Sequence, residues 1–269
     1  MTLPTFIIYI FVFLYGIVIG SFLNVCIYRI PKKESIVTVG SHCMKCGHQL
    51  KWYDLFPLFS FLFLKGKCRY CGTKLSVQYP VIEFTNGLLY IILFAVNGIN
   101  VESVLYCFFV SALLVISVID FRTMEIPVGI NAFILCLGVI HTIYDYENWV
   151  HYVIGFFAAS LFLLLCLIIT RGKGIGGGDI KLMAAAVGCL GFSKGLLVLF
   201  WGFLGAAAWG ILLLILRREL GKRFLGLFSY IASCIRERRL LIFPGQSKET
   251  EPLRLGVFLF LGYLASGLM

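Results

Sequence analysis

Hydrophobic residues along this chain are grouped into long apolar runs that are separated by short polar segments. A helix needs about 20 mainly apolar residues to cross a membrane. Eight runs are near that length, and each predicts a spanning helix. Their bounds are 3–27, 81–96, 101–119, 127–143, 150–169, 182–192, 196–216 and 255–268. The pattern predicts an all-α polytopic membrane protein with about eight transmembrane helices; the short run 182–192 needs a thinned or shielded environment.

The first run, residues 3–27, is followed rather than preceded by basic residues, since no Lys or Arg occurs before Arg29. A signal peptide has positive residues first and a shorter apolar core after them. We therefore expect residues 1–27 to form a retained first transmembrane helix.

Composition and charge support a membrane protein and orient it. Of all residues 60% are hydrophobic and 13% are charged, against about 25% charged residues in soluble domains. Lys194 is the one exception among 23 Lys and Arg residues, because the other 22 lie in four polar segments. These segments are 28–80, 120–126, 170–181 and 217–254. Basic residues favour cytoplasmic loops, so we expect an outside N-terminus and these four segments in the cytoplasm.

The last basic segment, 217–254, is a long cytoplasmic linker. Apolar residues repeat in it at helical spacing, namely Phe224, Leu225, Phe228, Ile231, Ala232 and Ile235. This stripe is typical of a helix lying on the anionic inner leaflet. A helix packed on the soluble part of the protein fits the same pattern.

Two Cys-x2-Cys pairs in segment 28–80 indicate a metal site. The four thiols belong to Cys43, Cys46, Cys68 and Cys71. This spacing suits tetrahedral zinc, and disulfides are disfavoured in the reducing cytoplasm. Gly47 and Gly72 follow the pairs where tight turns are needed. Four Cys ligands close the coordination shell, so we expect a structural zinc in a zinc-ribbon-like cytoplasmic insert between the first two spans.

Two other interpretations of this insert are less favoured. A basic zinc ribbon could bind nucleic acid, but this one is tethered at both ends by spans, so no nucleic acid is expected. His42 and His48 flank the cysteines, and we interpret them as bystanders because four ligands already complete the site.

Two carboxylates lie at the ends of apolar runs. Asp120 ends the third run in "VISVIDFRTMEIP", and Asp179 precedes the sixth in "GGGDIKLM". Ionisable groups next to a span are costly and are functional candidates. Simpler roles stay open: Asp120 could be an exposed residue paired with Arg122, and Asp179 could cap a helix N-terminus or pair with Lys181.

In the predicted topology both carboxylates lie at the same cytoplasmic boundary, which favours an aspartyl dyad. Two carboxyl groups that share one site cannot both ionise cheaply, so one keeps its proton. The ionised group can then activate water while the protonated group supports the oxyanion. Gly176, Gly177 and Gly178 precede Asp179, and backbone without side chains can approach an extended substrate closely.

Six segments in order carry a resemblance to a known family. They are "GSFLNVCIYRIP" (20–31), the cysteine segment (41–72), "YPVIE" (79–83), "IDFRTMEIP" (119–127), "GGGDIKLMAA" (176–185) and "EPLRLGVFLFLG" (251–262). The sequence closely resembles bacterial type IV prepilin peptidases, the membrane aspartic proteases of the G-x-G-D class. The resemblance covers nearly the whole chain.

The resemblance implies that Asp120 and Asp179 are the catalytic pair in a protein of the bacterial inner membrane, in contact with lipids. The implied substrates are prepilin or pseudopilin precursors with a basic leader, a Gly before the cut and an apolar helix after it. It also implies N-methylation of the new terminus by S-adenosylmethionine. The expected division is a methylation-associated zinc segment at 28–80 and an aspartic peptidase domain at 81–269. No standard Gly-rich nucleotide loop indicates where the methyl donor binds.

Several residues carry secondary expectations. Val128 stands where many relatives have a polar residue, and Asn131 is the candidate substitute. Ser21 and Asn24 are spaced for hydrogen bonding between helices. Glu83 is expected either in the first turn of its helix or in a substrate or methyl-transfer role.

Two other functions compete with the protease. In a proton-coupled transporter Asp120 and Asp179 would be relay groups, which favours carboxylates near the bilayer midplane. A zinc-ribbon adaptor without chemistry would leave the glycines before Asp179 unexplained.

Overall fold

The computed structural model describes residues 3–169, 176–216 and 255–267, and these residues form helices and no strand. The helices are α1 (Leu3–Arg29), α2 (Phe59–Phe63), α3 (Gln78–Asn97), α4 (Val101–Thr123), α5 (Val128–Tyr144), α6 (Trp149–Ile169), α7 (Gly177–Leu190), α8 (Phe192–Leu216) and α9 (Leu255–Ala265). Short 3₁₀ helices span Trp52–Asp54 and Tyr146–Asn148. The basic linker 217–254, with its proposed surface helix, lies outside the described residues.

The prediction of an all-α chain with several apolar helices is confirmed for the described residues. Within residues 3–169, 176–216 and 255–267, five helical segments are long and apolar enough to cross a membrane, which makes the chain a multi-pass membrane protein. They are Thr5–Arg29, Gln78–Asn97, Val101–Thr123, Tyr146–Ile169 and Phe192–Trp209. Helix α5 and the part of α9 from Gly256 are apolar but shorter, and α7 has 14 residues. The total of eight spans stays a prediction.

The boundary near residue 191 differs from the predicted run 182–192. Helix α7 begins at Gly177 and ends at Leu190, and α8 begins at Phe192. Gly191 between them has a φ of +80°, a conformation that side chains rarely adopt and that ends a helix. The sequence predicts the gap between the two runs at 193–195, where Ser193 and Lys194 are polar, and the break in the structure lies just before it.

Helix α4 lies at the centre of the helical assembly and is buried along most of its length. It contacts α1, α3, α5 and α9, while α7 packs on α5, α6 and α8. Helices α1 and α3 approach each other closely at glycines: a Cβ on Gly16 would lie 2.7 Å from the Cα of Gly87. The side chain of Asn86 also donates to the Gly16 carbonyl over 2.8 Å. Small residues of this kind allow close contact between membrane helices.

One end of the assembly holds a cluster of charged groups around Glu102, at the start of α4. The Lys194 Nζ atom, at the start of α8, lies 3.5 Å from Glu102 Oε1. His141 Nε2, near the end of α5, lies 3.7 Å from the same oxygen. The His141 Nδ1 atom is also 2.7 Å from the carbonyl oxygen of Cys189, near the end of α7. This end is opposite to the one that receives Asp120, which lies in the last turn of α4.

The insert between α1 and α3 is held to the end of α1 by one side chain. Arg29 donates to the carbonyl oxygens of Ser35, Val39 and Gly40 over 3.1, 2.6 and 3.1 Å. Arg69 and Asp54 form an ion pair of 2.7 Å across the insert. These polar contacts fix the insert beside the ends of α1 and α3.

Candidate functional site

Asp120 is a buried side chain at the end of α4, with 4% of its surface exposed. Its Oδ2 atom accepts a hydrogen bond of 2.9 Å from the backbone N–H of Gly256, at the start of α9. Arg122, the partner considered from sequence, is exposed and donates to the Gln78 side chain. The interpretation of Asp120 as an exposed interfacial residue is therefore wrong.

Asp179 lies in the first turn of α7. The N-cap is Gly176, which has extended backbone angles, so the alternative of Asp179 as the N-cap residue is wrong. The Asp179 Oδ2 atom instead accepts from the Gly176 N–H over 2.9 Å. A carboxylate in the first turn is also favoured by the helix dipole, which explains why the helix starts at this glycine run.

The two carboxylates come from separate helices to the same end of the protein. They are close enough for the charge of Asp120 to contribute to the electrostatic environment of Asp179. The loop that follows α4 also reaches the glycine run, since a Cβ on Gly178 would lie 3.4 Å from the Ile126 Cβ. A glycine N–H donates to each carboxylate. Gly256, at the start of α9, donates to Asp120, and Gly176, three residues before Asp179, donates to Asp179. The arrangement is compatible with acid–base chemistry at one shared site.

Gly256 belongs to this site, although sequence reasoning did not single it out. A Cβ at this position would lie 3.0 Å from Asp120 Oδ2 and 3.1 Å from Ile116 Cγ2. Glycine therefore lets the start of α9 approach the carboxylate closely enough for its N–H to donate. The available signal was its place in the segment 251–262, but its partner is 136 residues away in the chain.

At the start of α5, Val128 and Asn131 differ in their exposure to solvent. Val128 is exposed, whereas Asn131 is buried. Both polar atoms of the Asn131 side chain lack a hydrogen-bond partner among the described residues. Asn131 thus remains the candidate polar group of this helix start, and its role stays a prediction.

The four cysteines of the insert lie together, as their spacing predicts. Their Sγ atoms, from Cys43, Cys46, Cys68 and Cys71, all lie within 4.8 Å of one another. Gly47 and Gly72 each have a φ of +69°, which confirms the two predicted turns. Such a group fits a tetrahedral metal ion such as zinc.

Backbone donors favour the thiolate form at two of these four thiols. The N–H of Cys46 lowers the pKa of the Cys43 thiol, and the N–H of Thr73 is the main cause that lowers the pKa of Cys71 to about 6. A thiol with a lowered pKa is more readily present as the thiolate that binds metal. His42 and His48 lie outside the cluster: His42 Nδ1 is 3.1 Å from the Gly40 oxygen, and His48 stacks on Tyr70.

Residues near the end of α1 and the start of α3 connect these helices to the insert. Asn24 Nδ2 donates to the Tyr79 carbonyl over 3.1 Å, which confirms the predicted contact between helices. Ser21 and Glu83 line the same cavity between these helices and the insert. Glu83 lies in the second turn of α3, so the first-turn prediction is wrong. Its Oε2 atom accepts from the Leu58 N–H in the insert over 2.7 Å.

Comparison with protein families matches both halves of the chain. The Bacterial Peptidase A24 N-terminal domain matches residues 14–96, and the Type IV leader peptidase family matches residues 107–211. The chain belongs to the type IV leader peptidase family. The resemblance seen in the sequence is thereby confirmed.

Named relatives in this family match about two thirds or more of this chain. The prepilin leader peptidase/N-methyltransferase of Bacillus subtilis (strain 168) is 36% identical over 74% of this chain and 80% of the relative. Proteins of the same name from Myxococcus xanthus (strain DK1622) and Vibrio cholerae serotype O1 are 32% and 36% identical. Those matches cover 80% and 66% of this chain, and 65% and 76% of the relatives. No solved structure matches the chain.

The candidate sites fall in different matched regions of the chain. The N-terminal match at 14–96 contains the cysteine cluster and Glu83, and the peptidase match at 107–211 contains Asp120 and Asp179. Gly256 lies beyond the peptidase match.

Proposed function

We propose that this protein cleaves the basic leader from prepilin-like precursors with Asp120 and Asp179 as its catalytic pair, and then N-methylates the new terminus. Membership of the leader peptidase family supports processing of type IV prepilins or pseudopilins. The observation that carries the mechanism is the approach of two carboxylates from α4 and α7 at one end of the protein.

In the proposed mechanism one carboxyl group is ionised and the other is protonated. The ionised group takes a proton from water as the water oxygen attacks the scissile carbonyl. The protonated group donates a hydrogen bond to the developing oxyanion and later helps to protonate the leaving amine. The N–H groups of Gly256 and Gly176 orient the carboxylates, while Gly177 and Gly178 leave room for an extended substrate beside Asp179.

We propose that segment 28–80 supports methyl transfer and that the helices of 81–269 carry proteolysis. Zinc in the four-cysteine cluster would stabilise the insert and take no part in the reaction, because its shell is filled by Cys43, Cys46, Cys68 and Cys71. S-adenosylmethionine, when bound, supplies an electrophilic methyl group for the new amino terminus.

The proposed orientation has the N-terminus outside and the insert with both carboxylates on the cytoplasmic side of a bacterial inner membrane. The charge partition supports it, because Lys194 lies at the end of the protein opposite to Asp120. The alternative of a proton-coupled transporter needs carboxylates along a path through the membrane. It is less favoured because Asp120 and Asp179 both lie at helix ends.

The function is tested by incubating the purified protein with a pilin-like precursor and S-adenosylmethionine, followed by mass spectrometry. We expect a product that has lost its leader and gained one methyl group. A product that has lost its leader without gaining a methyl group would support the protease activity and contradict the methyltransferase activity. An intact precursor after incubation with folded protein would contradict the whole proposal.

Replacement of Gly256 tests the support of Asp120. We expect Gly256→Val to reduce the cleavage rate by about 10-fold or more, because displaced transition-state groups cost roughly that much. The first added carbon would already lie 3.0 Å from Asp120 Oδ2. Gly205→Ala is the control, since its Cβ would make only an ordinary contact of 3.5 Å with Phe258. Equal cleavage by Gly256→Val and wild type would argue against this role.

A further inference from the structure

A cavity of about 500 Å³ lies between the insert and the adjoining ends of α1 and α3. Sites for cofactors and small ligands typically enclose about 300–1,000 Å³. Helix residues that line it include Asn24 and Tyr28 from α1 and Tyr79 and Glu83 from α3. The cavity is separate from Asp120 and Asp179, neither of which lines it.

Asn24 brings an unsatisfied acceptor to this cavity. Its Nδ2 atom donates to the carbonyl oxygens of Gly20 and Tyr79, and this pairing fixes the orientation of the amide. The Oδ1 atom is buried and has no hydrogen-bond partner among the described residues. Buried acceptors are normally paired, so the cavity calls for a ligand with an N–H or O–H group.

Glu83 brings a buried carboxyl group. Only 7% of this residue is exposed, and its Oε2 atom accepts from the Leu58 N–H over 2.7 Å. In the part of the chain that the structure describes, the ion pairs involve Asp54 and Glu102, and none involves Glu83. A buried carboxylate without a cationic partner favours a ligand that carries positive charge.

We propose that this cavity binds S-adenosylmethionine, with its sulfonium group near Glu83 and a donor group of the ligand on Asn24 Oδ1. The inference rests on the proposed methyl transfer and assigns its donor site. S-adenosylmethionine combines a fixed positive charge with amino and hydroxyl donors, which matches the carboxyl group of Glu83 and the unpaired acceptor of Asn24. Tyr79 adds an aromatic ring to the wall, and aromatic faces attract cations.

The position of the cavity suits transfer to a newly cut terminus. Arg122, two residues after Asp120, contacts Gln78, which directly precedes Tyr79. The cavity and the two carboxylates therefore lie at the same end of the protein. In the transfer, the lone pair of the terminal nitrogen forms a bond to the methyl carbon as the carbon–sulfur bond breaks. The bonding electrons go to sulfur, which leaves S-adenosylhomocysteine, and the methylated amine releases a proton to water.

Binding of two ligands to one variant tests the assignment. S-adenosylhomocysteine lacks the transferred methyl group and the positive charge on sulfur. Affinities for both ligands are measured by isothermal titration on the full-length, zinc-loaded protein in detergent. We expect Glu83→Gln to lower the affinity for S-adenosylmethionine by about 10-fold and the affinity for S-adenosylhomocysteine much less. The reason is that a desolvated charge pair commonly contributes that factor or more to binding.

The matched control is Glu147→Gln, which removes the same charge at an exposed position outside the cavity and should leave both affinities unchanged. Equal weakening of both ligands by Glu83→Gln, or no weakening, would overturn the role of Glu83 toward the sulfonium. Photochemical cross-linking of S-adenosylmethionine to the wild-type protein gives a test without any variant. Labelled peptides within 21–83 support the site, and labels confined to 107–211 overturn it.

These outcomes separate the donor site from the function on which it rests. If the wild-type protein cleaves and methylates the precursor but the cross-linked label lies outside 21–83, the proposed donor site is wrong and the proposed function stands. If the wild-type protein cleaves the precursor without adding a methyl group, and binds neither ligand, the methyl-transfer function itself is contradicted.

Discussion

Asp120→Asn and Asp179→Asn are each expected to abolish precursor cleavage while the protein still inserts into the membrane. An amide cannot take the proton from water, and it cannot supply one to the leaving amine. General acid–base groups contribute about 10²–10⁴-fold each, and residues that act as a unit lose most of their effect when either is removed. We therefore expect the cleavage rate to fall by about 10³-fold or more in either variant, measured by mass spectrometry of the precursor.

The matched control is Asp145→Asn, which makes the same chemical change after the end of α5. Asp145 accepts from the Tyr152 hydroxyl over 2.8 Å, and the amide oxygen of Asn can keep that contact. This variant should cleave at nearly the wild-type rate. The double variant of Asp120 and Asp179 should be no worse than either single variant. Full cleavage by Asp120→Asn or Asp179→Asn would be incompatible with the dyad.

Cys43→Ser is expected to remove zinc and to unfold the insert. Between residues 31 and 77 the only buried hydrophobic residues are Cys43 and Cys68, both predicted metal ligands. The insert thus has almost no hydrophobic core, and metal binding must supply its stability. Structural zinc sites in small peptides contribute about 10–16 kcal/mol at neutral pH. We expect bound zinc to fall from about one per chain to nearly none.

Elemental analysis of the purified protein measures the zinc, and limited proteolysis with mass spectrometry detects new cleavage sites between residues 31 and 77. Cys136→Ser is the control, because this exposed thiol in α5 lies outside the cluster. The control should keep both zinc and protease resistance. A wild-type protein that is folded in the absence of metal would contradict the structural role.

The local features of this protein were predictable from sequence because their causes are local. Each Cys-x2-Cys pair with its following glycine forms one tight turn, so spacing alone indicated the metal cluster. Apolar runs likewise predicted where most helices lie, since a membrane-spanning backbone must satisfy its hydrogen bonds internally. The break between α7 and α8 was predicted at 193–195, beside the polar residues Ser193 and Lys194, and lies a few residues earlier, at Gly191.

The contacts between distant segments were not predictable in the same way. In a soluble helix the apolar face marks the core, but lipid-facing and core-facing positions of a membrane helix are both apolar. The sequence therefore did not reveal that α4 is central, that Gly256 donates to Asp120, or that Leu58 donates to Glu83.

The sequence by itself determined the class of this protein, its candidate metal ligands and the two carboxylates proposed for catalysis, because composition and short motifs encode them directly. The tertiary structure decided which backbone groups hold those carboxylates and where a cavity forms beside Asn24 and Glu83. Such features depend on the packing of helices far apart in the chain, and packing follows shape at close contact rather than hydropathy along the sequence.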